Sequence, residues 1–163
     1  MVELPVQITD VSGTVVGSAT MLEAFDKQLI RHVVYVMLID TKGNYLLQQR
    51  SVDVPNYSGL WDASAGGHID VGETPEIAAY RELAEELGVR DIALRHKTSF
   101  YFESAGDGRT YKYYAHTYIG NFEDLGSLSI APSEVSGVAL YTLDEIKRLK
   151  YVTPITRYII DLL

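Results

Sequence analysis

Apolar and polar residues alternate from Val2 to Thr9 and again from Thr14 to Thr20, which predicts two strands around an Asp10-Val11-Ser12-Gly13 turn. Met21 to Gln28 then reads as a short helix. The next segments, His32 to Asp40 and Asn44 to Arg50, are strand-like and joined across Thr41-Lys42-Gly43, so they predict a hairpin with a glycine in its turn. A strand pair around Trp61 to Ile69 follows. Lys97 to Ser104 and Thr110 to Gly120 form a longer hairpin around Ala105-Gly106-Asp107-Gly108, and Val135 to Tyr141 is one more strand. Thr142-Leu143-Asp144-Glu145 fits a capping box that opens a helix to about Leu149, and Thr153-Pro154 opens a last helix that reaches Leu163. Strands with helices packed at both ends predict an α/β domain with a mixed sheet.

The segment Gly67 to Val89 has a different period. Thr74 is suited to an N-cap, Pro75 to the first helical position and Gly88 to the left-handed residue that closes a helix. On the helix between them Glu82, Glu85 and Glu86 fall at i, i+3 and i+4 and share a stripe, with Tyr80, Leu83, Ala84 and Leu87 at core spacing on the other side. The stripe therefore faces outward or into a cleft. Like charges at i, i+4 repel, and Arg81 is too few cations for three carboxylates. A hard divalent cation suits them, because magnesium takes oxygen ligands, keeps several waters and is completed by substrate phosphates.

These residues also carry a resemblance. Gly67, Glu73, Arg81, Glu82, Leu83, Glu85, Glu86, Gly88 and Val89 fill every fixed position of the Nudix box, and the chain resembles Nudix proteins from about His32 to Ile146. The resemblance implies an α/β/α sandwich in one domain over 1–163, with residues 1–30 as an N-terminal β-hairpin appendage, 32–150 as the core and 153–163 as a C-terminal helix. It implies that Glu82, Glu85 and Glu86 bind Mg2+ or Mn2+, with the main-chain carbonyl of Gly66 or Gly67 as a further ligand. Arg81 would orient the glutamates and Glu73 would tie the loop to the helix. The implied chemistry is hydrolysis of a small-molecule diphosphate, in which metal polarises a phosphoryl oxygen and activates water for attack at phosphorus. Glu82 and Glu134 are both candidates for the general base, and Arg50 and His68 are candidates for contacting substrate phosphate.

A narrower likeness is to the isopentenyl diphosphate isomerase branch, carried by Arg31-His32, Leu46 to Arg50, Gly59-Leu60-Trp61 and Gly67-His68. That enzyme moves protons at carbon. His32 and His68 fall where it has metal-binding histidines, but its cysteine is absent near Gly66 and its Glu-any-Glu pair is replaced within Thr110 to Tyr114. Hydrolysis is thus the leading expectation, ahead of isomerisation and of a ligand sensor without turnover. The tyrosines of the second hairpin and Trp61 read as core.

Charge and composition narrow the partners. A formal net charge of −8 over 163 residues disfavours a nucleic-acid polymer or an anionic membrane surface, while a bound metal reverses the sign locally for small phosphates. With no cysteine, thiolate chemistry is excluded. The longest apolar run, Val33 to Ile39, is too short to span a bilayer, so a cytoplasmic location is the default expectation. A homodimer is expected from the family. The group attached to the diphosphate would be read by loops such as Ser51 to Ser58 and Ala105 to Gly108, and a nucleoside diphosphate derivative or similar compound is the expected class.

Overall fold

A computed structural model describes residues 4–163; the predicted strand start at Val2 and Glu3 lies outside them. In chain order the elements are β1 (Val6–Thr9), β2 (Val15–Ala19), α1 (Met21–Asp26), β3 (Ile30–Ile39), β4 (Tyr45–Arg50), β5 (Trp61–Asp62), β6 (Ala65–His68), α2 (Pro75–Leu87), β7 (Leu94–Gly106), β8 (Arg109–Asn121), β9 (Val135–Tyr141), α3 (Leu143–Arg148) and α4 (Pro154–Leu162). A 3-10 turn at Leu125–Ser127 connects β8 to β9 and had no counterpart in the sequence pattern.

β3 organises the sheet. One of its edges runs parallel to β8 from Arg31 to Ile39, and its remaining partners β1, β6 and β4 follow one another antiparallel along it. β4 in turn pairs with β9 and β5, so the sheet is mixed and curled. The period of two in β3 divides the interior. Val33 and Met37 join Leu47, Ala115, Ile146, Ile155 and Ile159 under α3 and α4. Val34, Val36 and Leu38 join Ala78, Ala79, Leu83 and Leu87 under α2. Helices on both sides of one sheet give the expected three layers.

The N-terminal hairpin is not set apart from this frame. Ile8 and Thr9 pair with Arg31 and Ile30, and the Gln7 amide donates to the main-chain oxygens of Asp70 and Glu73, each at 2.9 Å. The appendage therefore braces the loop before α2. Among the described residues no helix is long and apolar enough to cross a membrane.

Candidate active site

α2 begins and ends where its sequence requires. Thr74 Oγ1 accepts from the Ile77 amide at 3.2 Å, Pro75 occupies the first turn, and Gly88 closes the helix at φ 68°. Its core side differs from the expected one: Ala78 and Ala79 pack inward with Leu83 and Leu87, while Tyr80 and Ala84 are only half-buried. The rotation follows from the acidic stripe, because Glu82 and Glu86 are themselves buried, at 7% and 4% exposure. Glu85 points to the surface.

The two buried carboxylates reach a cleft of about 340 Å³ past Gly66 and Gly67 of β6. Glycine is needed here for room. A Cβ on Gly67 would stand 2.1 Å from Glu82 Oε1, and one on Gly66 would meet Tyr35 Cδ1 at 2.7 Å. Glu86 Oε2 accepts from Gln48 Nε2 at 2.6 Å and from the Gly66 amide at 3.1 Å. Glu82 Oε1 accepts from Arg81 Nη1 at 2.7 Å.

Arg81 gathers the rest of the motif. Its Nε and Nη2 donate to the two oxygens of Glu73 at 2.8 and 2.9 Å, Nη1 also reaches Glu85 at 3.2 Å, and Nη2 reaches the His68 carbonyl at 2.9 Å. The fork of a guanidinium can serve all of these at once, which an ammonium cannot. These bonds hold the Glu73 carboxyl below its ordinary range and raise the Arg81 guanidinium above its own.

Burial works the other way on the inner pair. It pushes the Glu82 carboxyl up to about 7 against the pull of Arg81, with Glu85 and Glu134 adding to the rise. Glu86 lies well above the carboxylate range through burial and then through Glu82. Ionised, both groups would carry negative charge that the surrounding protein leaves undercompensated, in an all-oxygen donor set. A hard divalent ion fits that arrangement. Among the described residues no three Asp, Glu, His or Cys side chains converge tightly enough to cage an ion. Magnesium sites are commonly built from one or two carboxylates plus water and substrate.

The other sequence candidates divide. Glu134 is exposed and lines the cleft, its carbonyl fixed by the Ser51 amide at 2.8 Å. Arg50 also lines it, bonding Asn56 O at 3.0 Å and Asp62 Oδ2 at 3.3 Å. Asp62 in turn accepts from Thr153 Oγ1 at 2.7 Å at the start of α4. His68 is in the wall, but burial, with Arg31, Arg50 and Arg81 nearby, lowers its pKa to about 3. It is a neutral ring, so it lacks the charge for a strong phosphate contact. His32 faces away, between Gln7 Oε1 at 2.9 Å and His116 Nε2 at 2.7 Å. Glu85 is absent from the cleft wall.

Sequence reasoning gave no role to Arg31, Gln48 or Asp62. Arg31 is a cleft residue only 1% exposed, and the available signal was a charge, followed by His32, inside the mostly apolar run Leu29 to Val36. Of the tyrosines expected in the core, Tyr111, Tyr113 and Tyr118 are buried, Tyr101 and Tyr114 are only half-buried, and Tyr113 also forms cleft wall. Trp61 packs edge-on against Tyr141.

A three-layer α/β/α sandwich with buried helical carboxylates beneath a glycine-rich strand defines the class to which this molecule belongs. The NUDIX domain family matches residues 29–163, and the chain belongs to that family. It is 36% identical over 109 residues to isopentenyl-diphosphate Delta-isomerase 2 of Photorhabdus laumondii, covering 66% of this chain and 61% of that protein. It is also 36% identical over 91 residues to an uncharacterized Nudix hydrolase of Pseudomonas aeruginosa, covering 56% of this chain and 54% of the other. The chain thus spans less than two thirds of the length of these two curated relatives. Among solved structures, DR0079 from Deinococcus radiodurans superimposes with a TM-score of 0.79 at 21% identity, covering 96% and 97% of the two chains. The NUDIX domain of Shewanella oneidensis NrtR, solved with ADP ribose, gives 0.66 at 20%, covering 82% and 85%. At such identities these two likenesses concern the fold. The family generally uses divalent metal ions.

Proposed function

We propose that this chain is a Mg2+- or Mn2+-dependent hydrolase of the diphosphate linkage in a small organic diphosphate, such as a nucleoside diphosphate derivative. The observation that carries the reading is the buried Glu82 and Glu86 pair, opened to the cleft by two glycines and held at high proton affinity. Membership of the family and a relative named Nudix hydrolase support the hydrolase class.

Glu82 and Glu86 would hold the ion from inside, with the Gly66 carbonyl beside them and Glu85 assisting from the rim through the shared Arg81 contact. A bound divalent ion would polarise a phosphoryl oxygen and neutralise charge on the leaving phosphate. Arg81 fixes the orientation of Glu82, and Gln48 fixes that of Glu86. Arg50 is directed to the substrate phosphates from a position anchored by Asp62. Glu134, exposed at the cleft, takes the proton of the attacking water at its carboxylate, leaving Glu82 as ligand.

A homodimer paired through the N-terminal segment accompanies this proposal. β2 is a sheet edge, and Val15 and Val16 on it are exposed together with nearby Val11. Sedimentation velocity would detect the pairing, and a monomer at micromolar concentration would remove it.

The functional test is a magnesium-supplemented screen of dinucleoside polyphosphates, ADP-ribose, nucleotide sugars, coenzyme A and prenyl diphosphates. Phosphorus-31 NMR would identify the products. Cleavage of the linkage, lost on Glu86→Gln, is the expected result. Interconversion of isopentenyl and dimethylallyl diphosphate without phosphate release would replace the proposal with isomerisation.

A further inference from the structure

Three arginines line the cleft, and two of them are engaged with carboxylates: Arg81 with Glu73, Glu82 and Glu85, and Arg50 with Asp62. Arg31 is different. Although it is 1% exposed, among the described residues its Nε and Nη1 have no hydrogen-bond partner and no carboxylate comes within ion-pair distance. What surrounds it is aromatic. Its Cζ lies 4.0 Å from the ring centre of Phe25, 4.7 Å from that of Tyr113 and 5.7 Å from that of Tyr111.

Aromatic faces attract a guanidinium but accept none of its in-plane N–H bonds. A buried cation with unmet donors is costly to keep, so its persistence in a cleft wall points to an anion that arrives from the cleft. The register on β3 separates this anion from the one at the carboxylates. Gly67, against which Glu82 lies, pairs with Val34, three residues or about 10 Å along the strand from Arg31. Between the two ends stand Val33 and His68, a direct cross-strand pair. A diphosphate, whose phosphorus atoms share one bridging oxygen, is shorter than that span. Along this strand pair, Arg31 and the carboxylates therefore stand at opposite ends.

We propose that Arg31 forms a second anion subsite, so that the organic half of the substrate carries an anionic group of its own, a phosphate or a carboxylate, apart from the diphosphate that is cleaved. This rests on the diphosphatase reading for the identity of the other end only. The N-terminal segment contributes to the subsite, because Phe25 of α1 covers one face of the guanidinium and bears Arg109 5.0 Å from its ring centre. The resulting stack holds Arg31 in place without accepting from its Nε and Nη1 donors.

The test uses hexyl diphosphate, 6-carboxyhexyl diphosphate and 6-phosphohexyl diphosphate as matched substrates of the full chain. Wild type is expected to favour at least one of the anionic compounds by tenfold or more in kcat/KM, and Arg31→Met to bring that ratio close to one, with Arg31→Lys between. Which anionic compound is preferred identifies the group. In parallel, metal-free titration of the wild-type protein with inorganic phosphate, followed by the Arg side-chain Nε–H signals, is expected to shift a resonance that Arg31→Met removes. Hydrolysis of all three compounds at equal rates, with no such shift, would overturn the subsite and leave the diphosphatase reading intact. A phosphate-dependent Arg31 shift without hydrolysis of any compound would support the subsite and count against the diphosphatase reading instead.

Discussion

Replacing Glu82 by Gln should make the metal-free protein more stable at pH 8 while destroying its response to metal. The Glu82 carboxyl is pushed from 4.5 to about 7 in the folded chain, equivalent to about 3 kcal/mol against its ionised form. A carboxyl whose folded pKa lies above its unfolded value adds stability that is complete below about 4.5 and is lost as pH rises through about 7. Wild type at pH 8 has therefore lost this contribution. Gln imitates the protonated acid and keeps an oxygen for Arg81 Nη1, but its amide must also be placed, so a net gain of about 1–2 kcal/mol is expected. For a chain of this length that is roughly 2 to 8 °C in Tm. Differential scanning calorimetry with EDTA at pH 8 should find the variant higher, and at pH 4.5 the gap should close. With magnesium, wild type should rise and the variant should not. A variant less stable than wild type at pH 8, by an amount independent of pH, would refute the reasoning.

Gly67→Ala would force a Cβ to within 2.1 Å of Glu82 Oε1, and because ångström-scale misplacement costs about 100-fold, turnover should fall by that order with only a small change in secondary structure by circular dichroism. Arg81→Lys gives up the paired contact with Glu73 and the bond to His68 O, so denaturant titration should register a loss of about 1–3 kcal/mol together with weaker metal affinity. His116 is held down to about 4 by burial and then by His32 and His96. Its depressed value means stability that is complete above about 6.5 and is lost as pH falls through about 4, up to roughly 3 kcal/mol, and His116→Gln should flatten that acid limb in urea melts.

The parts of the molecule legible in the sequence were those with local punctuation. β9 runs from Val135 to Tyr141 as its pattern indicated, because Thr142 caps the next helix immediately after it. α2 keeps Thr74, Pro75 and Gly88 in their expected positions for the same reason. By contrast β7 starts at Leu94, not Lys97, since Arg95, His96 and Lys97 are exposed edge residues whose strand conformation comes from pairing with β8. α1 stops at Asp26, and Gln28 beyond it takes a positive φ of 54°. At the candidate site, fixed spacing grouped Arg81, Glu82 and Glu86, and all three line the cleft. It did not separate them from Glu85, whose outward direction depends on which side of α2 meets β6. Nor could it identify Arg31, because strand alternation alone leaves open which face borders a cleft.

That guanidinium also bears on the choice between hydrolysis and isomerisation, which relatives named for each leave open. The isomerase comparison expects a metal held by histidines and a strand pair of glutamates, in the region of Thr110 to Tyr114. Here Tyr111 and Tyr113 point to the face that holds Arg31, and His32 is turned to the opposite side against Gln7 and His116. The place where that comparison expects a metal is thus already filled by a fixed positive charge with no carboxylate beside it among the described residues. A cation placed beside a buried guanidinium would be repelled, and two tyrosine rings would not offset that repulsion. Burial also raises the Tyr113 hydroxyl to about 12, which keeps it neutral at working pH. On the proposed reading the cleft would bind a cation at Glu82 and Glu86 and an anion at Arg31, an order of charges that suits an extended phosphate compound and puts a positive charge where the isomerase comparison expects a metal.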